Sequence, residues 1–77
     1  MDGFSQALRL DPAYARAYIA RGDALTVIGR LEPALADLSE AVRLDPGLAR
    51  AFVLRGTVFL LMERTALATW DYREAMR

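Results

Sequence analysis

Arg16 and Arg50 lie one above the other in a sequence that repeats every 34 residues, and two guanidinium groups held side by side can grip a carboxylate through charge-assisted hydrogen bonds. No other constellation in the 77 residues carries comparable chemistry. The chain has no His and no Cys. That excludes disulfides, thiolate nucleophiles, the usual zinc sets and imidazole acid–base catalysis together. The carboxylates fall at caps, turns and exposed helical positions, so no pair is placed for catalysis in an evident pocket. The expectation is a protein that is not an enzyme, with no metal and no cofactor.

Charge sets a second limit. Ten basic residues, all of them Arg, balance ten acidic ones. The two signs are interspersed, so no net field draws the chain to nucleic acid or to an anionic membrane. Residues 1 to 8 lack a positively charged start followed by an apolar core. The longest apolar run, Val58 to Met62, is far short of the roughly 20 residues that cross a bilayer. A cytoplasmic chain is expected, with neither a nucleic acid nor a membrane as partner.

What brings the two arginines into register is an internal repeat. Arg9-Leu10-Asp11-Pro12 recurs residue for residue as Arg43-Leu44-Asp45-Pro46, and pairing residues 1–43 with 35–77 gives 17 identities. Hydrophobic periodicity within this frame predicts helices only. Phe4, Ala7 and Leu8 mark a short one over 2–10, with Asp2 as its cap. Asp11-Pro12 then ends one helix and opens the next, because proline disfavours helical geometry in the residue before it and suits the first turn of a helix. The second helix runs from Pro12 to about Ile28, with Asp11 as N-cap, and Gly29 closes it in a left-handed conformation. A third, Leu31 to Arg43, tolerates Pro33 in its first turn and carries Ala34, Leu35, Leu38, Ala41 and Val42 as an apolar stripe. Asp45-Pro46 repeats the signal for a fourth helix to about Met62. Glu63-Arg64 makes a turn without glycine, and Thr65 is the expected N-cap of a last helix, Ala66 to Arg77.

The same residue types recur at the same places in each period. Tyr18, Arg21-Gly22, Leu25, Ala34, Leu38, Ala41 and Pro46 in the first answer to Phe52, Arg55-Gly56, Phe59, Ala68, Tyr72 and Ala75 in the second. This pattern resembles the tetratricopeptide repeat, a 34-residue helix-turn-helix unit that alternates small and large residues in this way. The resemblance implies an all-α fold of antiparallel hairpins stacked as a short right-handed superhelix of about five helices. It divides a single domain, 1–77, into a half repeat (1–12), a full repeat (13–46) and a nearly full one (47–77). A glycine inside a helix costs about 1 kcal/mol relative to alanine. Gly22 facing Ala34, and Gly56 facing Ala68, would repay this by letting the helices of a hairpin approach closely. The signature's apolar residue before the glycine is Arg21 and Arg55 in this chain; each is expected to bury its stem and keep its guanidinium at the surface, with Asp37 a candidate partner for Arg55.

Proteins similar to this one bind peptides or protein segments on the concave surface made by the first helix of each repeat. The matching positions are Arg16, Ile19, Asp23, Thr26 and Val27, then Arg50, Val53, Thr57, Leu60 and Leu61. Some members of the family hold a terminal carboxylate with Lys and Asn; this chain has neither, so Arg16 and Arg50 are its acidic-group candidates. The alternative is a structural oligomerisation module. Between Ala51 and Met62 only Arg55, Gly56 and Thr57 interrupt the apolar residues, and a helix apolar all round is normally buried on most sides. Trp70 adds a large group where the first repeat has Ala36. Self-association through Val58, Leu61, Met62, Trp70 and Met76 is therefore expected, giving a homo-oligomer.

Overall fold

A computed structural model describes residues 14–77. The helix expected over 2–10, its cap Asp2, the Asp11 cap and the half repeat 1–12 lie outside the described residues. Within them the chain forms four α-helices and no strand: α1 (Ala15–Val27), α2 (Leu31–Leu44), α3 (Ala49–Leu61) and α4 (Thr65–Ala75). Helix α1 packs chiefly on α2 and α3 on α4, and the two hairpins meet through α2 and α3 with a smaller contact of α1 on α3.

Both hairpin turns use the same backbone device. After α1 the Arg30 N–H reaches the Leu25 carbonyl at 2.9 Å and the Gly29 N–H the Thr26 carbonyl at 3.0 Å, with Gly29 at φ 82°. After α3 the Arg64 N–H reaches Phe59 at 2.8 Å and the Glu63 N–H reaches Leu60 at 3.0 Å, with Glu63 at φ 62°. These paired bonds satisfy the last carbonyls of each helix, and they require a left-handed residue at the turn. Glycine meets that requirement without strain, whereas a residue with a Cβ pays roughly 1–2 kcal/mol there. Glu63→Gly is therefore expected to stabilise the chain by about 1 kcal/mol after the added freedom of the unfolded glycine is deducted. A thermal melt should show a midpoint about 4–8 °C higher. An unchanged or lowered midpoint would show that the second turn carries no strain.

The link between hairpins differs from expectation. Asp45-Pro46 stops α2 but does not itself start α3, which begins at Ala49. Asp45 Oδ1 accepts from the Gly47 N–H at 3.1 Å, and the Leu48 N–H closes the turn on the Asp45 carbonyl at 3.2 Å. The side chain is thus used inside a proline-containing turn, not as a helix cap. Thr65 is likewise the first residue of α4 and not its cap; Arg64 holds that place without a side-chain bond. The Thr65 carbonyl accepts from Thr69 Oγ1.

Two apolar clusters join the hairpins. One gathers Ala15, Ile19, Ala41 and Ala51; the other gathers Leu25, Ala34, Leu38 and Val58, and Leu54 touches both. Helix α3 is covered by α1, α2 and α4. Its Ala51, Phe52 and Val58 are buried, while Val53, Leu60 and Leu61 stay exposed, so these neighbours cover only part of its apolar circumference. The close approach at the helical glycines also differs. A Cβ on Gly22 would lie 2.8 Å from Leu38 Cγ, 2.9 Å from Leu38 Cδ2 and 3.4 Å from the Ala34 carbonyl oxygen, and one on Gly56 would lie 3.0 Å from the Tyr72 ring. The large residue of the second helix, not the small one, fills each glycine notch.

Candidate functional site

Helices α1 and α3 lie side by side, and a pocket of about 440 Å³ opens between their N-terminal halves, lined by Arg16, Ile19, Ala20, Leu48 and Arg50. Its floor is apolar because Ile19 belongs to the core cluster that joins the hairpins. Its walls are cationic because the 34-residue period puts an arginine one residue into each helix. Arg50 Nη2 stands 3.7 Å from Asp23 Oδ2, a loose pair with both side chains well exposed. Such a pair contributes little stability and leaves the guanidinium able to exchange partners.

The remaining positions expected on the concave face divide into two groups. Val27, Val53, Leu60 and Leu61 are exposed apolar residues. Thr26 and Thr57 instead turn back on their own helices, donating to the Gly22 and Val53 carbonyls, and Thr57 also meets the Tyr72 hydroxyl at 3.1 Å. Thus Arg16, Ile19 and Arg50 converge on one pocket with Asp23 at its edge, while the exposed apolar positions sit farther along the helices.

Of the expected self-association residues, Leu61, Trp70 and Met76 are exposed. Val58 is not a surface residue at all. It is 0% exposed in the second core cluster, because α3 turns it toward α2, and Met62 packs partly buried against the same cluster. Trp70 leans on Phe52, with ring centroids 6.1 Å apart at 60°, so one of its faces is already occupied.

Two buried ion pairs went unforeseen. Arg21 donates from Nε and Nη2 to the two oxygens of Asp37, both at 2.7 Å, and Arg55 does the same to Asp71 at 2.9 and 2.8 Å. Each pair ties the two helices of one hairpin together. The Arg21 guanidinium lies 5.9 Å from the Tyr18 ring centre, and that of Arg55 sits 5.7 Å from Phe52 and 5.9 Å from Phe59. Arg55 therefore pairs with Asp71, not with Asp37, toward which only the neighbouring Ser39 is approached, at 3.5 Å. The acidic residues were expected at the surface, yet Asp37 and Asp71 are buried. The hydrogen bond to Asp37 holds the Arg21 guanidinium above the ordinary arginine range. The contribution of this raised guanidinium is accordingly present at neutral pH and lost as the pH rises above that range. The signal was available in the sequence: both Arg and both Asp recur at the 34-residue period with the same spacing inside each hairpin.

The architecture defined by these observations is a pair of stacked helical hairpins with a groove on the side of the first helices. No family model and no curated protein matches the chain. Among solved structures it is similar to the second tetratricopeptide repeat domain of Spaghetti (RPAP3), bound to the HSP90 peptide SRMEEVD, with a TM-score of 0.92 and 26% identity over 95% of this chain and 68% of that one. It is also similar to MamA, with a TM-score of 0.93 and 23% identity over 97% of this chain and 44% of that one. The chain has a tetratricopeptide-like fold.

Proposed function

We propose that the chain is a non-catalytic scaffold that binds a peptide or protein segment on the concave face of a short right-handed superhelix, with an acidic group of the ligand held between Arg16 and Arg50. The pocket between α1 and α3 carries this reading, since it joins an apolar floor to two cationic walls. Ligand sites are typically concave, mostly apolar and supplied with a few convergent polar groups. The similar Spaghetti domain is bound to a peptide with consecutive acidic residues. That domain supports the same ligand chemistry for this chain.

The test uses the labelled peptide SRMEEVD as an acidic probe, read by fluorescence anisotropy at low salt. Wild type is expected to bind it, and Arg16→Glu combined with Arg50→Glu is expected to weaken binding by about a hundredfold, as loss of two charge-assisted contacts and their replacement by repulsion implies. Raising the salt should weaken the wild-type complex. Equal binding by wild type and the double variant would exclude the arginine pair; no binding of acidic peptides of any sequence would exclude the groove.

A second reading is favoured by a separate observation. Trp70, Leu67 and Met76 on α4 are large apolar residues left at the surface, as are Leu60 and Leu61 on α3. Exposed apolar groups of this kind mark interaction surfaces, and self-association into a homo-oligomer is the form of interaction that needs no further partner.

A further inference from the structure

Arg16, Ile19 and Ala20 line the pocket from α1, and Asp23 continues the same stripe of that helix, at i+7 from Arg16. The stripe runs from basic through apolar to acidic over two helical turns, about 10.5 Å. Its basic end obeys the 34-residue period, since Arg50 repeats Arg16. Its acidic end does not. The counterpart of Asp23 is Thr57, whose hydroxyl is taken up by the Val53 carbonyl and the Tyr72 hydroxyl, and α3 carries no acidic residue at all.

This asymmetry makes the two pocket arginines unequal. Arg16 has no ion-pair partner among the described residues, whereas Arg50 faces Asp23 across the junction of the hairpins. The contact is unlike the forks that Arg21 and Arg55 make to buried carboxylates at 2.7 to 2.9 Å. At 3.7 Å it is longer than a hydrogen bond, so it leaves the donors of Arg50 and the acceptors of Asp23 unsaturated. A ligand carboxylate entering between Arg16 and Arg50 competes with Asp23 for Arg50. Once Arg50 turns to the ligand, Asp23 keeps its charge without a counter-ion and opposes any further negative group nearby. Two guanidinium groups and one carboxylate leave the site a single positive charge in excess, which one acidic group of a ligand balances.

We propose that Asp23 is a specificity-determining residue of this groove and selects a peptide of mixed charge. An acidic group lies between Arg16 and Arg50, and a basic group about three extended residues away lies against Asp23 and replaces Arg50 as its partner. The inference rests on the peptide-binding reading above. It adds a second, oppositely charged subsite to that groove, one that the repeat period alone does not provide.

Fluorescence anisotropy at low salt with four labelled peptides tests this. They are SRMEEVD, which carries an arginine two positions before its first glutamate, the reversed sequence DVEEMRS, and each of these with its arginine replaced by alanine. The two orders cover both directions in which a peptide can lie along the groove. For the order that wild type binds more tightly, removing the peptide's arginine should weaken binding about threefold to fivefold, the size expected of a partly exposed ion pair. The same change should leave the affinity of Asp23→Asn unaltered. Asp23→Asn should also bind the alanine peptide about threefold more tightly than wild type does, because the competitor for Arg50 is gone. High salt should erase both differences. If removing the peptide's arginine costs wild type nothing, or costs wild type and Asp23→Asn equally, while Arg16→Glu with Arg50→Glu still weakens binding, the groove stands and the part given to Asp23 is overturned. Weaker binding of the alanine peptide by Asp23→Asn would show that Asp23 holds Arg50 in place and does not compete for it, and would overturn the proposal too. Binding of none of the four peptides by wild type would overturn the groove reading together with this one.

Discussion

Asp71→Ala is expected to remove about 3 kcal/mol of folding stability, a large share of the roughly 4–12 kcal/mol available to a chain of this size. The Asp71 side chain is 1% exposed, and it takes both hydrogen bonds of the Arg55 fork. Deleting the carboxylate leaves a guanidinium pressed between Phe52 and Phe59 with only the long contact to Ser39 in exchange. Breaking a buried pair by removing one partner is costly because the other charge stays desolvated, whereas replacing both partners by apolar groups is often close to neutral. The lower end of the usual range applies because the Arg55 side chain is part-exposed and some water reaches it. Chemical denaturation should therefore show a sharp fall in midpoint for Asp71→Ala and recovery of most of it for Arg55→Leu combined with Asp71→Leu. Asp37→Ala is expected to cost about 1–2 kcal/mol, since the Arg21 side chain is better solvated than that of Arg55. If Asp71→Ala and Asp37→Ala melt like wild type, these pairs hold nothing together.

This expectation bears on what was legible in the sequence. Helix type and order followed from the apolar period, and α2 ends within one residue of its expected limit. The positive-φ turn at Gly29 was legible because glycine announces it. The matching turn at Glu63 was placed correctly but not its conformation, since glutamate gives no such sign. Two misplacements share one cause. The Arg55–Asp37 pairing and the surface role of Val58 were both inferred from a residue's type and its position along one helix. Each was decided instead by which side of that helix a second helix covers. Val58 and Val53 sit on the same helix with similar side chains, and only the placement of α2 makes one core and the other surface. The meeting of the two helix-start arginines depends on the period alone. Arg16 and Arg50 reach one pocket for the same reason that they align in the repeat.

The arginine pairs and the glycine notches are two parts of one arrangement within each hairpin. A guanidinium reaching a buried carboxylate on the opposite helix requires those helices to be close. The glycine that follows each arginine provides that closeness. Arg21-Gly22 and Arg55-Gly56 are therefore better understood as dipeptide units than as an exception to the family pattern followed by a rule. The first residue fixes register across the hairpin and the second fixes distance.

Gly22→Val is expected to cost about 2–3 kcal/mol, although valine has a better helix propensity than glycine. A Cβ at this position would already sit 2.8 Å from Leu38 Cγ and 2.9 Å from Leu38 Cδ2, closer than van der Waals contact allows. Leu38 is fully buried, with no surface toward which to retreat. The helices would have to separate, which also lengthens the adjacent Arg21–Asp37 bonds. Gly22→Ala should fall nearer to balance, its propensity gain of about 1 kcal/mol set against a smaller overlap. Gly56→Ala should be milder again, because its Cβ would meet the edge of the Tyr72 ring at 3.0 Å and not the branch point of a leucine. A double-mutant cycle isolates the contact itself. In a Leu38→Ala background, already destabilised by about 2–5 kcal/mol through the cavity it leaves, Gly22→Val fills part of the vacated space and should cost far less than in wild type. Additive effects of the two substitutions would mean that Gly22 and Leu38 do not meet, and that the glycine serves something other than the close approach of α1 to α2.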